Sequence, residues 1–226
     1  MIILRQAVEL VAATVNADRL IERIARVCYH SEDKMACDCA DGYCDKCRAR
    51  RDAFLGGLAR RGHESVFEHA GATVKIVTDR GISHELVRHR LASYSQSSTR
   101  YVKYAAGLPV LAPVFAGDFE RQAWEQAIAA AEKTYLAMLD RGVPAENARD
   151  VLPTCTATTL FMSANFREWR HVLRLRLAAG AHPKVRELSR SILDLLAPLC
   201  PVYFSSLAEL SGPKTRAGNA FKEDRC

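Results

Sequence analysis

The sequence predicts a chain in which strands and helices are interspersed, and three observations lead there. Short segments of alternating or β-branched character stand near residues 1–12, 66–79 and 154–162. Longer segments with apolar positions every three to four residues lie between and after them. No Gly-rich turn of the dinucleotide-binding or P-loop type occurs, so folds organised around such a loop are excluded.

At 226 residues the chain can bury a substantial core, and it is read as one domain, 1–210, followed by a polar tail, 211–226. No apolar run approaches the ~18 residues that span a bilayer, so no membrane-spanning helix is expected. Arg5 interrupts the opening Met1-Ile2-Ile3-Leu4, against a secretory leader. Eight Cys without a leader point to a reducing, cytoplasmic setting, where thiols serve metals, redox chemistry or packing. A net charge of +6 favours anionic partners, and nucleotides, folates, dinucleotide cofactors and nucleic acid satisfy it equally.

In chain order, Ile3, Val8, Leu10 and Val11 mark a first strand. Asp18 begins a helix whose expected apolar stripe is Leu20, Ile21, Ile24 and Cys28. A polar, Cys-rich insertion covers residues 31–51, then a short helix passes through Phe54 and Leu58 to Gly62. A strand is expected over 66–79, with Ala70, Ala72, Val74 and Ile76 on one face, and a helix over 82–91. The stretch after Tyr101 reads as irregular, because Pro109 and Pro113 break it. A long amphipathic helix runs from Asp118 as N-cap to Gly142, and Pro144 opens a short one. Residues 154–162 form a Thr-rich strand. Asn165 and Glu168 make a capping pair for a helix reaching Ala178, and another helix follows from Pro183 to Leu199.

The chemistry concentrates in residues 88–101, where Arg88-His89-Arg90 precedes Ser93, Ser95, Ser97, Ser98 and Thr99, then Arg100 and Tyr101. Guanidinium forks bind phosphates and carboxylates, and neighbouring hydroxyls complete a polar ring, so the stretch suits an anionic heterocycle. On a helix the Arg-His-Arg side chains would point about 100° apart, which is better suited to a helix end or a meeting of several chains. A solvated basic turn is the bland alternative. Arg176 shares an apolar stripe with Trp169, Val172 and Leu173, so it needs either an anion or an internal carboxylate. Glu85–Arg88 and Glu146–Arg149 have the spacing of simple helical ion pairs. His63 to His69 lacks the spacing of a helical zinc motif and reads as a polar loop at the edge of a site.

Arg-His-Arg, seven intervening residues and Ser98 match the signature of the flavin-dependent thymidylate synthases, and the chain resembles that family (ThyX) over most of its length. Further matching blocks are Arg26-Val27-Cys28-Tyr29, Gly62-His63-Glu64-Ser65 with Phe67-Glu68-His69, Gly142-Val143-Pro144 through Arg149 to Leu152-Pro153, and Asn165 through Arg176. The resemblance implies an α+β fold, a mostly antiparallel sheet flanked by helices, and a homotetramer with sites shared between subunits. It implies reductive methylation of dUMP to dTMP, with 5,10-methylenetetrahydrofolate as carbon donor and FAD, reduced by NADPH, as hydride source.

Carried over residue by residue, the resemblance assigns FAD contacts to Ser65, Arg88, His89, Arg90, Gln96, Asn165, Phe166, Arg167 and His171. It assigns dUMP contacts to Glu85, Leu86, Val87, Arg88, Gln96, Ser97, Ser98, Thr99, Arg100, Tyr101, Arg149 and Arg176. The resemblance also makes Arg176 the catalytic residue, expected to polarise the uracil. Ser98 is expected to position substrate, since no activating base is legible beside it. Gln96, His171 and Cys28 depart from residues common in the family. Cys155 and Cys200 read as packing residues.

Cys37, Cys39, Cys44 and Cys47 of the insertion lie outside the family pattern, and four thiols so spaced can hold Zn or an iron–sulfur cluster as a structural clip. The alternative is a set of disordered or redox-active thiols. A nucleic-acid-binding protein with a zinc knuckle is the competing function, and few aromatics among the basic residues count against it.

Overall fold

The computed structural model describes residues 1–35 and 44–211. Six strands form two sheets among them. β1 (Ile2–Leu4) pairs in parallel with β5 (Pro109–Leu111). β2 (Ala7–Ala13), β3 (Gly71–Asp79), β4 (Ser93–Gln96) and β6 (Ala157–Asn165) form an antiparallel sheet in the order β2–β3–β6–β4. Eight helices accompany them: α1 (Ala17–Val27), α2 (Asp45–Arg60), α3 (Arg80–Leu86), α4 (Asp118–Asp140), α5 (Ala145–Ala148), α6 (Phe166–Arg176), α7 (Pro183–Leu196) and α8 (Pro201–Phe204). This is the α+β architecture expected, and among the described residues no helix is long and apolar enough to cross a membrane.

Strand alternation sets the layers. Ala72, Val74 and Ile76 of β3 and Leu160 and Met162 of β6 face Trp169, Val172 and Leu173 of α6 and Val185, Leu188 and Ile192 of α7 in one buried core. The Trp169 indole also donates to Ala72 O at 3.0 Å, tying α6 to β3 where burial would otherwise strand the N–H. The opposite sheet face is open, with Glu9, Lys75, Phe161 and Ser95 side by side across the four strands. Ile128 of α4 packs on Leu108 and Val110 in a smaller, separate core.

Helix ends follow the capping residues. Asn165 accepts from Glu168 N, as its spacing predicts, and Gly142 takes a positive φ of 79° two residues beyond α4. Gly117, rather than Asp118, occupies the N-cap of α4. Gly71 suits a close approach, because a Cβ there would meet Ala164 O at 3.0 Å, tighter than ordinary van der Waals contact.

Several expectations are corrected. The first dozen residues are two strands in different sheets, split at Arg5–Gln6, where the Gln6 side chain bonds Lys184 O and Thr78 Oγ1. The buried stripe of α1 is Ala17, Ile21 and Ala25, with Leu20 and Ile24 half-buried and Cys28 exposed, because small residues let the helix approach closely. α2 starts at Asp45, so helix replaces the last part of the expected insertion. β3 starts at Gly71, since Glu64–His69 forms a 3₁₀ turn. α3 stops at Leu86 instead of 91, and the unanticipated β4 and β5 occupy stretches read as a polar run and as irregular chain. The expected tail lies, beyond residue 211, outside the described residues.

Candidate active site

α3 and α6 bring together residues 85 to 89 and 168 to 176. Arg176 Nη1 donates to Glu85 Oε2 at 2.7 Å, Nη2 to Glu85 O at 2.7 Å, and Nε to His89 Nε2 at 3.0 Å. Glu85 therefore pairs with Arg176 across the fold and not with Arg88 one turn away. The Arg on the apolar stripe has found its carboxylate inside the protein. A guanidinium carries five N–H donors, and three are committed here, so each terminal nitrogen keeps one for a ligand.

His89 is buried, with its ring edge-on to His171 at 5.8 Å and Nδ1 3.9 Å from Glu168 Oε1. Burial, then the Arg176 charge, then His171 push its pKa down to about 4, so the imidazole is neutral and Nε2 accepts from Arg176. Burial raises the Glu168 carboxyl against weaker opposition from His171 and Arg167. The chain after Leu86 leaves the helix because Tyr94 Oη reaches back to Leu86 O at 2.7 Å and His89 O at 3.0 Å. Arg88, His89 and Arg90 consequently sit on a turn, with Arg88 and Arg90 exposed and free of ion pairs among the described residues.

A cleft of ≈ 460 Å³ opens beside this cluster, lined by Glu64, Glu68, Asn165, Arg167, His171 and Arg174 among others. Arg167 is held by Glu68 and, at 3.6 Å, by Glu64 Oε2. Arg170 is committed to the scaffold through Glu64, Tyr203 O and Ser206. Arg174 is exposed and makes no ion pair among the described residues. Ser65 lines a neighbouring hollow of ≈ 330 Å³ with Tyr29, His63 and Arg167. The Phe166 ring is buried against Phe204, and the Leu86 side chain is core, so only their backbones can face a ligand.

The hydroxyl run occupies β4 and the turn after it. Gln96 Nε2 donates to Ser83 Oγ and Thr158 Oγ1, both at 3.0 Å, and Ser97 Oγ shares a hydrogen bond with Thr158 Oγ1 at 3.0 Å. Arg80 Nη2 holds Ser97 O at 2.9 Å. Ser98 Oγ accepts from Arg100 N at 3.3 Å, Thr99 is buried, and Tyr101 is exposed with the Arg100 guanidinium 5.5 Å from its ring centroid. Arg100 pairs with Glu146 at 3.4 Å, so that carboxylate is not the partner of Arg149 as its spacing suggested. Arg149 is half-buried in the 3₁₀ turn after α5.

Residues that sequence reasoning missed are Tyr94, Arg80, Glu168 and Arg174. Tyr94 carried a signal, as the one large side chain among hydroxyls; Glu168 was visible only as half of a cap. Cys37 and Cys39 lie outside the described residues. Cys44 and Cys47 are described, and among the described residues no group of three or more metal-ligating side chains occurs. Cys200 is buried, with its thiol pushed up to about 12 by burial, as a packing role requires.

The family described as thymidylate synthase complementing protein (Thy1) matches residues 9–202, a span that includes both clusters. The chain belongs to that family. Among its relatives, the flavin-dependent thymidylate synthase of Geobacter sulfurreducens is 37% identical over 218 residues, 93% of this chain and 91% of that protein. That of Mycobacteroides abscessus is 33% identical over 202 residues, 82% of this chain and 77% of its own. A crystal structure of the UMP/dUMP methylase PolB from Streptomyces cacaoi, bound with 5-Br dUMP, superposes with a TM-score of 0.75 at 25% identity, covering 92% of this chain and 97% of that one.

Proposed function

We propose that the chain is a flavin-dependent thymidylate synthase that methylates dUMP to dTMP, with 5,10-methylenetetrahydrofolate as carbon donor and NADPH as reductant. The observation that carries this reading is Arg176, oriented by Glu85 Oε2, Glu85 O and His89 Nε2 with two donors uncommitted. A guanidinium held so rigidly stabilises negative charge on a pyrimidine without reorganising, which is the role of a preorganised electrostatic group. His89 contributes by staying neutral, since a second positive charge there would compete with Arg176 for orientation.

The residues present fit FAD. Arg88, Arg90 and Arg174 are exposed cations without internal partners among the described residues, as a pyrophosphate requires, and Asn165, Arg167 and His171 border the adjoining cleft. When bound, the flavin supplies the hydride for the reduction. Arg149, Arg100 and the Ser97–Thr99 turn are assigned to the nucleotide, with Ser98 and Tyr101 orienting it. The exposed sheet face and the outward Arg88, Leu91 and Tyr101 side chains support assembly as a homotetramer that completes each site from neighbouring copies. A cytoplasmic setting accords with this chemistry.

The test is an assay of the purified full chain. It should be yellow, oxidise NADPH faster when dUMP is added, and release dTMP identified by mass. UMP belongs in a parallel assay, given the methylase neighbour. Arg176→Ala and Arg88→Ala should abolish dTMP formation while the assembly stays folded. Retained synthesis in both, or colourless protein with tight salt-sensitive nucleic-acid binding, overturns the reading.

A further inference from the structure

The thymidylate reading leaves Cys44 and Cys47 without a role. Their Sγ atoms lie 2.9 Å apart at the start of α2, Cys44 as the N-cap and Cys47 one turn inside. Cys44 is exposed and Cys47 is buried. The backbone fixes this spacing, because Cys47 N and Arg48 N both donate to Cys44 O at 3.0 Å. Exposed Lys46, Arg48 and Arg50 outnumber the one exposed anion, Asp45, in the first turns of the helix, and Arg51 pairs with Asp18 of α1 at 2.6 Å.

Two uses of a Cys pair set two different sulfur separations. Thiolates bound tetrahedrally to Zn at about 2.3 Å sit roughly 3.8 Å from each other. A disulfide bond is about 2.05 Å. At 2.9 Å the two sulfurs are in direct contact, and a shift of under ~1 Å closes the bond. The unequal exposure of the pair, an open thiol at the helix start backed by a buried one a turn inside, is the arrangement that thiol–disulfide exchange uses.

From this juxtaposition we propose that Cys44 and Cys47 form a dithiol–disulfide couple that exchanges with disulfides of the glutathione class, Cys44 as the attacking thiol and Cys47 as the resolving one. The Cys44 thiolate attacks one sulfur of the external disulfide and expels a thiolate, leaving a mixed disulfide. The Cys47 thiolate then attacks the Cys44 sulfur and expels the second. The two thiol protons end on the two expelled thiolates. The protein dithiol is oxidised and the external disulfide is reduced to two thiols. Exposure assigns the order, since of the two only Cys44 is open to a bulky reagent, and the excess of cations on the first turns of the helix favours an anionic one.

The experiment equilibrates the full chain in oxidised and reduced glutathione, traps free thiols by alkylation and maps the products by peptide mass spectrometry. A Cys44–Cys47 crosslink that forms under oxidation and is reversed by reduced glutathione is expected. Cys47→Ser should accumulate one glutathione on Cys44, whereas Cys44→Ser should leave Cys47 unmodified in the folded protein. Exposed Cys28 is the internal control, taking a single glutathione without an internal partner. The proposal is overturned by absence of the crosslink at the most oxidising ratio, by pairing of either Cys with Cys37 or Cys39, or by first modification at Cys47. Stoichiometric Zn in the purified chain that is lost in Cys44→Ser overturns it too, in favour of a metal clip. The wild-type crosslink map decides the matter even where a variant fails to fold.

Discussion

Arg176 Nε and His89 Nε2 are 3.0 Å apart, and this bond couples the charge of one side chain to the ionisation of the other. The imidazole must present a lone pair at Nε2, which places its proton on Nδ1, towards Glu168.

The first prediction is a pH dependence. His89 titrates at about 4 in the folded protein, against 6.5 when unfolded. Its neutral form therefore contributes stability that is full above 6.5 and is lost as pH falls towards about 4. The slope is roughly 1.4 kcal/mol per pH unit in that window, or about 3 kcal/mol in all. Urea unfolding at pH 7.5 and pH 5 should show a larger acid loss for the wild type than for His89→Gln; equal losses would remove His89 from the account.

Tyr94→Phe should destabilise the fold by about 1–2 kcal/mol, since its single hydroxyl proton is shared between the carbonyls of Leu86 and His89. Turnover should fall further than stability does, because the same bonds place Glu85 and His89 beside Arg176. A variant with wild-type kcat/KM would show that the turn holds its shape unaided. The hydroxyl stays protonated throughout this range, as burial pushes its pKa up to about 12.

Lys184 Nζ donates to Asp79 Oδ2 at 2.8 Å and Leu111 O at 3.1 Å, while Asp79 Oδ1 caps α3 at Ile82 N. Lys184→Met should cost about 3–5 kcal/mol by leaving a buried carboxylate uncompensated. Adding Asp79→Asn should recover part of that loss in denaturant midpoints. Glu146→Gln, at the exposed Arg100 pair, should change stability by less than about 1 kcal/mol.

Gly71→Ala should destabilise by about 1–3 kcal/mol, because the added methyl meets the Ala164 carbonyl of the paired strand rather than a mobile side chain. Hydrogen exchange should quicken at the β3–β6 end nearest Asn165; unchanged protection would place the accommodation elsewhere.

Legibility in the sequence followed the reach of each interaction. Asn165 and Glu168, three residues apart, announced their cap, and Gly142 announced the end of α4, since both depend on local backbone geometry. Ala72, Val74 and Ile76 were visible because alternation alone buries them. β4 was hidden, since a strand of Ser93, Tyr94, Ser95 and Gln96 is made by pairing with β6 and by hydroxyl bonds to Thr158, neither of which has a local pattern. The end of α3 was misplaced for the same reason: Tyr94 stops it from eight residues further on. Arg176 was conspicuous as a charge on an apolar stripe, but its partner Glu85 stands 91 positions away and could not be chosen over Arg88 from spacing.

β6 begins near Thr158, which grips Gln96 and Ser97, and ends at Asn165, which launches the helix bearing His171 and Arg176. Seven continuous strand steps separate those ends, about 23 Å. The strand thus acts as a ruler: the gap between the Gln96–Ser97 segment and the helix bearing His171 and Arg176 is a length of hydrogen-bonded backbone. Changes that stretch or kink this strand should therefore displace the two clusters relative to each other while each keeps its own hydrogen bonds.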